Sequence, residues 1–401
     1  MNDNKVLFFG CLVPDDDRYI SRAFSRAGNT AQVGFLAALG QAGYPAVEVL
    51  TFQPRSVAEV CDGLIVPGGR LFYAGAKLRL LSYINLPAIK TLSLMWSFLF
   101  YGFVAARKHQ PTVIMTYNFS LFLSIPAQLV SQILKIPYVP IIYDIDIPGQ
   151  TVPKNLYRRL DFVHSKTRLD ASAGVVVISE RIAKDFLNKT PYLLIEGGVA
   201  EVEAPFRRTA DGGSFLIFFA GALEEYNGVD VMLAAVDLLK DMDFKFVIAG
   251  SGQLKNLVIS HAQRNPNIEF LGFVSGDVVR AYLQQAHVLI NHRSYGRISS
   301  PYVFPSKLIE YMASGVPTIS TRFEGLPHDY EQHLVMLDDE TPEILARALI
   351  YIAEHADEAQ DLGLGAQQFV SKHKTWGAHG SMLGAFLDRV VQRSRGGGRV
   401  F

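Results

Sequence analysis

Along the chain, short apolar runs rich in β-branched residues alternate with segments of helical period. Runs at 5–10 (KVLFFG), 47–52 (VEVLTF), 111–117 (PTVIMTY), 138–146 (YVPIIYDID), 173–179 (AGVVVIS) and 192–199 (YLLIEGGV) predict strands. Residues 31–44 (AQVGFLAALGQAGY) predict an amphipathic helix closed by Gly43. Strands that alternate with helices pair in parallel through crossover helices, so a doubly wound sheet is expected. Around 201–214 the chain turns polar and aperiodic, with Pro205 and the run RRTADGG, as a linker does. The pattern then restarts, with strands at 215–221, 244–250, 268–274, 287–292 and 317–321 and helices at 229–241 and 278–286. Further helix follows from Pro342, with Trp376 near its last segment. The whole predicts an α/β fold of two Rossmann-like domains, residues 1–200 and 201–375, facing across a cleft. A terminal helical segment, 376–401, is expected to pack back on the first domain.

Between the last two strands, SSPYVFPSKLIEYMASGVPTIST (299–321) predicts a short helix with Pro305 at its first position and Gly315 as its stop. At 100° per residue, Leu308, Ile309, Tyr311 and Met312 share one face, while Ser306, Lys307 and Glu310 fall on the other. From the helix alone, Lys307 and Glu310 are a solvated face. In open α/β sheets, however, ligands sit beyond the carboxyl ends of strands. That rule selects the segments starting at Gly10, Tyr117, Asp144, Gly221, Gly250, Gly272 and Arg293.

Composition narrows the class. At 401 residues two domains are the natural division, and 49% hydrophobic against 19% charged residues describes a globular chain. Lys plus Arg and Asp plus Glu are both 38, which gives no overall basic excess for nucleic acid. Arg207-Arg208 and the tail RSRGGGRV are too short to change that. With only Cys11 and Cys61, neither a disulfide framework nor a zinc cluster is expected. The start MNDNKVLFFGCLVPDDD lacks the features of a signal peptide, so a cytoplasmic location is expected. Residues 86–109 (LPAIKTLSLMWSFLFYGFVAARKH) are strongly apolar. Their uncharged part, 91–106, is shorter than the about 20 residues a span needs. Two readings stay open: a helix buried on the sheet, or one at the inner membrane face with Lys90, Arg107 and Lys108 at the headgroups and Trp96, Phe98, Phe100, Tyr101 and Phe103 in the interface.

Five landmarks in order then carry a resemblance: FAGAL…NG (219–228), VIAGSG (247–252), FLGFV (270–274), FPSKLIEYMASGVPTIS (304–320) and EGLP (324–327). Together they resemble glycosyltransferase family 4, retaining enzymes of the GT-B architecture. The first half is similar more loosely, through AGNTAQVGFLAAL, YDID, VVVIS and LIEGGV. The resemblance implies transfer of a sugar from a UDP- or GDP-sugar to a glycan or lipid-linked acceptor, most often in cell-surface polysaccharide assembly, without a metal. It makes Glu310 the second acid of the family's Glu-seven-residues-Glu motif, which binds the ribose hydroxyls. Gly272, Phe273 and Val274 become the site for the base. Gly28, Asn29 and Thr30 become a loop approaching the donor phosphates, and Gly221, Gly250, Phe304, Pro305 and Ser306 surround the donor.

The chain also departs from the family. Tyr302 stands where the first acid of the motif belongs. Gly221-Ala222-Leu223 and Asn227-Gly228 replace a Gly-Arg-Leu and Lys-Gly pair, so both usual cations are missing, and the frequent histidine of the first domain falls near Tyr143. A subset of the family resembles this chain in Asn-Gly, in Asn-x-Arg (Asn291, Arg293) and in Phe-Pro-Ser-Lys. By that likeness Arg293 and Lys307 are the diphosphate partners, with Arg297 a further candidate. A departing diphosphate needs cations and helix N–H groups around it. Asp144, at the end of a buried-looking strand, is the candidate acid near the acceptor, with a structural role equally open. The Asp-x-Asp of YDID is not read as a metal site, His164 and His292 are weaker candidates, and no nucleophile is assigned. The competing readings are a nucleotide-sugar hydrolase or epimerase, and a silent nucleotide-sugar-binding partner of an active transferase.

Overall fold

The computed structural model describes residues 4–21, 23–56, 63–153, 155–204, 213–297, 300–323 and 325–396. Cys61, Pro205, Arg207, Arg208 and Glu324, singled out above, lie outside them. The chain forms two compact units, one of residues 1–200 with 376–401 and one of residues 201–375.

The first unit runs β1 (Val6–Phe9), α1 (Arg26–Gln41), β2 (Ala46–Thr51), β3 (Ile65–Val66), β4 (Gly69–Tyr73), β5 (Ala76–Leu80), β6 (Tyr83–Ile84), α2 (Ile89–His109), β7 (Val113–Tyr117), α3 (Leu121–Leu134), β8 (Tyr138–Ile142), α4 (Leu156–Arg168), β9 (Val175–Val177), α5 (Glu180–Phe186) and β10 (Tyr192–Leu194). Its main sheet has the order β10-β9-β8-β7-β1-β2-β5-β4. Every pair in it is parallel except β4 with β5. The central strand β1 is fully buried, as a strand covered on both faces must be. The β4–β5 hairpin and the two-stranded β3–β6 ribbon had no counterpart in the sequence reading. Their strands are two to five residues long, and Arg70, Lys77 and Arg79 interrupt the apolar pattern of the hairpin.

The second unit runs β11 (Phe215–Ala222), α6 (Val229–Leu238), β12 (Phe244–Ser251), α7 (Lys255–Arg264), β13 (Ile268–Gly272), α8 (Gly276–Gln285), β14 (Val288–Asn291), α9 (Ser306–Ala313), β15 (Thr318–Thr321), α10 (His328–Glu331), β16 (Val335–Leu337), α11 (Pro342–Glu354) and α12 (Ala356–His373). All its strands are parallel, in the order β13-β12-β11-β14-β15-β16. Counted within the unit this is 3-2-1-4-5-6, so the chain reverses its winding between β11 and β14. Phe219, Phe246, Ile248, Ile290, Ile319 and Leu349 help form the core on one face of the sheet. Each such side chain, fully buried, stabilises the unit by about 1.5–3 kcal/mol.

The last helix, α13 (Trp376–Arg395), belongs to the first unit and packs along α1. Trp376 lies against Phe35 with ring centroids 5.1 Å apart, and its amide donates to the Val199 carbonyl at 2.9 Å. The Tyr44 hydroxyl donates to Asp388 at 2.7 Å. A Cβ on Gly34 would lie 1.9 Å from the Trp376 ring, so the absence of a side chain there lets the indole seat on α1.

Candidate functional site

In the second unit the reversal point opens the sheet. The pairing of β11 with β14 stops at Phe218↔Leu289, whereas β11 stays paired with β12 through Ala222↔Ser251. Ala220, two residues past the last β14 pair, has no strand partner on that side. The Tyr311 hydroxyl takes its place, accepting from the Ala220 amide at 2.9 Å and donating to the Ala220 carbonyl at 3.0 Å. Tyr311 belongs to the apolar face of α9, so the buried side of this helix is fastened to the end of β11. Being the crossover between parallel strands β14 and β15, α9 starts at their carboxyl edge. Its first turn carries no side-chain cap, which leaves backbone N–H groups of Ser306 and Lys307 without helix partners. Pro305 sits one position earlier than expected, at the N-cap rather than inside the helix.

Arg293 follows β14 directly. Its amide donates to the Thr321 hydroxyl at 2.8 Å, and that hydroxyl donates to the Arg293 carbonyl at 2.9 Å, fixing the backbone. The guanidinium lies 5.7 Å from the centroid of the Tyr226 ring. Burial lowers its pKa, opposed by the nearby Tyr226, and among the described residues no carboxylate pairs with it. Lys307 is half-buried and likewise has no ion-pair partner among the described residues. Glu310 is exposed to solvent but stands among enough protein for desolvation to raise its pKa, opposed by Lys307 one helical turn before it.

The remaining donor-side candidates divide. Gly221 and Gly250 are register partners at the strand ends, and a Cβ on Gly250 would lie 1.8 Å from the Gly221 carbonyl oxygen, so only glycine permits this approach. Phe273 is 70% exposed just past β13, and Val274 packs toward the core. Ser306 is exposed, and Tyr302 is buried. Phe304 does not present its side chain to a ligand: it is buried against Phe323 and Tyr330, with centroids 6.0 Å and 5.5 Å away. Arg297 is paired with Asp230 at 2.6 Å in the first turn of α6, so its charge is already met. His292 is packed under Gly228, where a Cβ would lie 1.9 Å from its Nδ1, and burial lowers its pKa.

The first unit holds a cavity of about 570 Å³ beyond the carboxyl ends of β1, β7 and β8. Cys11, Gly28, Asn118, Asp144, Tyr157 and Asp161 are among its lining residues. Gly28, Asn29 and Thr30 correct the sequence reading, because they belong to the first turns of α1 and not to a loop. The Ser25 hydroxyl caps this helix by accepting from the Gly28 amide at 3.1 Å. Gly28 lines the cavity, Thr30 is exposed, and Asn29 is buried with its side-chain oxygen accepting from the Val13 amide at 3.1 Å. Gln32, unnoticed in the sequence, does the same for Cys11 at 3.0 Å. Two side-chain amides at i and i+3 of α1 thus hold the loop after β1; an apolar-period reading passes over such polar positions.

Asp144 is exposed at the end of β8, and desolvation raises its pKa, opposed by Asn118. The Asn118 side-chain oxygen accepts from the amides of Tyr143 and Asp144 at 2.8 and 3.1 Å, and its NH₂ donates to the Asp144 carboxylate at 3.4 Å. The neighbouring acids are committed elsewhere, Asp146 to Arg158 and Asp161 to the Leu121 amide at 2.7 Å. Of the three acids that line the cavity, Asp144 is the exposed one, while Asp146 and Asp161 are half-buried. Tyr143 is buried with its hydroxyl donating to the Ile195 carbonyl at 3.1 Å, a structural use. His164 is held by Ser124 at 2.9 Å and stacked on Phe119, and burial pulls its pKa down to about 4, so it too is structural. Burial pushes the Cys11 thiol up to about 11, which disfavours the thiolate that a nucleophile needs.

Comparison with known proteins agrees with this layout. Residues 214–355 match the family Glycosyl transferases group 1. A glycosyltransferase of Methanocaldococcus jannaschii, MJ1178, is 28% identical over 163 residues, 39% of this chain and 43% of that protein. A second glycosyltransferase of the same organism, MJ1069, is 26% identical over 184 residues, 43% of this chain and 45% of that protein. The matches thus span less than half the length of these curated relatives. Among solved structures, a glycosyltransferase of Rickettsia africae superposes with TM-score 0.67 over 98% of this chain and all of its own, at 13% identity. Anabaena Alr3699/HepE in complex with UDP superposes with TM-score 0.65 over 96% of this chain and all of its own, at 13% identity. The fold is GT-B, and the second unit carries a group 1 glycosyl transferase domain.

Proposed function

We propose that this chain of GT-B fold is a retaining glycosyltransferase of family 4. It would take a sugar from a UDP- or GDP-sugar to a glycan or lipid-linked acceptor, in the cytoplasm or at the inner face of the membrane, in cell-surface polysaccharide synthesis. The observation that carries the reading is Arg293: a partly buried guanidinium at the winding reversal of a nucleotide-type sheet, without a carboxylate partner among the described residues. A fixed cation with no anion of its own, beside an uncapped helix start bearing Lys307, suits a diphosphate. The Anabaena neighbour's complex with UDP supports a uridine nucleotide.

In this reading the bond between the anomeric carbon and the diphosphate oxygen breaks as the acceptor oxygen bonds to the same face of that carbon. Arg293, Lys307 and the first N–H groups of α9 take up the charge that grows on the leaving diphosphate. No metal is needed for that neutralisation. Glu310 accepts the ribose hydroxyls, the backbone at 272–274 meets the base, and the ring of Tyr302 in place of an acid leaves the sugar to be met in another way. Asp144 orients the acceptor hydroxyl, whose proton leaves with the diphosphate.

Incubation with labelled UDP- and GDP-sugars and a lipid and glycan extract tests the reading. Transfer to an acceptor is expected. Arg293→Ala or Lys307→Ala should slow turnover by about 10²-fold each, and Glu310→Ala should chiefly weaken nucleotide binding. Release of free sugar without transfer would make the chain a hydrolase, and tight binding without turnover a silent binding partner. Wild-type kinetics in all three variants would remove the site assignment.

A further inference from the structure

We infer that the first unit docks on an anionic lipid bilayer through α2 and the β-ribbons before it. The chain as a whole is neutral, yet the 81 residues between Asp62 and Asp144 contain no Asp or Glu and seven Lys or Arg. Of these, Arg70, Lys77, Arg107, Lys108 and Lys135 are exposed and form no ion pair among the described residues.

The same segment exposes apolar surface. Among the described residues, eleven of the 21 exposed large hydrophobic side chains fall from Leu64 to Ile133. On α2 they form a stripe: Ile89, Leu92, Trp96, Phe100 and Val104, with Trp96 70% exposed. Leu94, Phe98, Gly102, Ala105 and Ala106 form the opposite, buried face. A Cβ on Gly102 would lie 2.9 Å from the Phe9 ring, so the inner face is fitted closely to β1. Among the described residues α2 is the one helix long and apolar enough to cross a bilayer. Its fitted inner face argues instead for lying in the plane of the interface, one face on protein and one on lipid. The buried-helix and interfacial readings therefore describe the two faces of one helix.

The choice of lipid over a second copy of the chain rests on charge. A self-complementary interface would bring the five exposed cations and no acid of this segment against the same set, whereas an anionic bilayer meets both the apolar stripe and the cations. Lys90, Thr91 and Leu94, in the first turns of α2, also line the cavity that holds Asp144. Docking would set that cavity beside the lipid surface. If the transferase reading holds, the acceptor is then a lipid-borne hydroxyl compound supplied from the bilayer.

The test is flotation of the full-length protein with phosphatidylcholine vesicles and with equal mixtures of phosphatidylcholine and phosphatidylglycerol. Binding is expected on the anionic vesicles, weakened by salt. The double variant Trp96→Glu, Phe100→Glu should lower the bound fraction by at least about tenfold. Arg107→Gln and Lys108→Gln should each lower it by about fivefold. Unchanged circular dichroism and an unchanged thermal unfolding profile would show that the variants remain folded. Failure of the intact chain to float with anionic vesicles at low salt overturns the inference. So does a concentration-dependent dimer that the Trp96 variant dissolves while vesicles are ignored. A chain that transfers sugar to a soluble acceptor without floating sinks only the docking; one that floats without transferring sinks only the transferase reading.

Discussion

The Tyr311 hydroxyl closes a gap in a sheet: it serves both the amide and the carbonyl of Ala220, where β11 and β14 part. One oxygen thereby ties the helix carrying Lys307 and Glu310 to the strand end carrying Gly221. Tyr311→Phe keeps the ring and leaves two buried backbone groups unpaired. The expected loss is about 2–4 kcal/mol in denaturant unfolding. UDP affinity should fall with it, because α9 loses its fastening, and an unchanged unfolding midpoint would refute the role.

Glu310 carries a pH signature. Its raised folded-state pKa means that the native protein holds this proton more readily than the unfolded chain does. The stability tied to that proton is complete below the ordinary value of 4.5 and is lost as pH rises through the raised value. Glu310→Gln should therefore melt higher than wild type at about pH 8 and equally at about pH 4. Nucleotide binding by the wild type should weaken as pH falls through the same interval, since a protonated acid accepts fewer hydroxyls. Calorimetric titration with UDP across that range reads the effect.

Asp144 has a near-isosteric test. Asn118 already donates to its carboxylate, so Asp144→Asn alters charge with little change of shape. Transfer should fall by roughly 10²–10⁴-fold while UDP binding is retained. Equal losses of turnover and UDP affinity would instead mark a structural residue.

The two tryptophans report on opposite surroundings, Trp96 70% exposed and Trp376 6% exposed. Gly34→Ala places a methyl in the space of the Trp376 ring and should cost about 1–3 kcal/mol. The emission should shift to the red as the indole is displaced. Combining it with Trp376→Phe should recover part of the stability, and a silent Gly34→Ala would mean that α13 is seated some other way.

Much of the architecture is legible in the sequence because β-branched runs and helical periods leave a strong signal over a few residues. The split of α9 into a buried and an exposed face is one case: Leu308, Ile309, Tyr311 and Met312 are all buried. Other features left no such trace. The β4–β5 hairpin is short and carries cations. The first turn of α1 reads as loop because Gly28, Asn29 and Thr30 are weak helix formers, and the Ser25 cap and inward-turned Asn29 that hold it are tertiary matters. Motif spacing drew Phe304 and Arg297 toward the donor. Spacing does not reveal that one side chain is committed to the core and the other to Asp230.

The return of α13 to the first unit bears on how the protein is made. The second unit is one uninterrupted stretch, 201–375, whereas the first needs residues from both ends of the chain. During synthesis the second unit can finish while the first still lacks the helix that covers α1. That surface, with Phe35 and the bare backbone of Gly34, waits uncovered until α13 has left the ribosome. A premature stop just before Trp376 would therefore spare the nucleotide-type unit and impair the one that lies farther away in sequence.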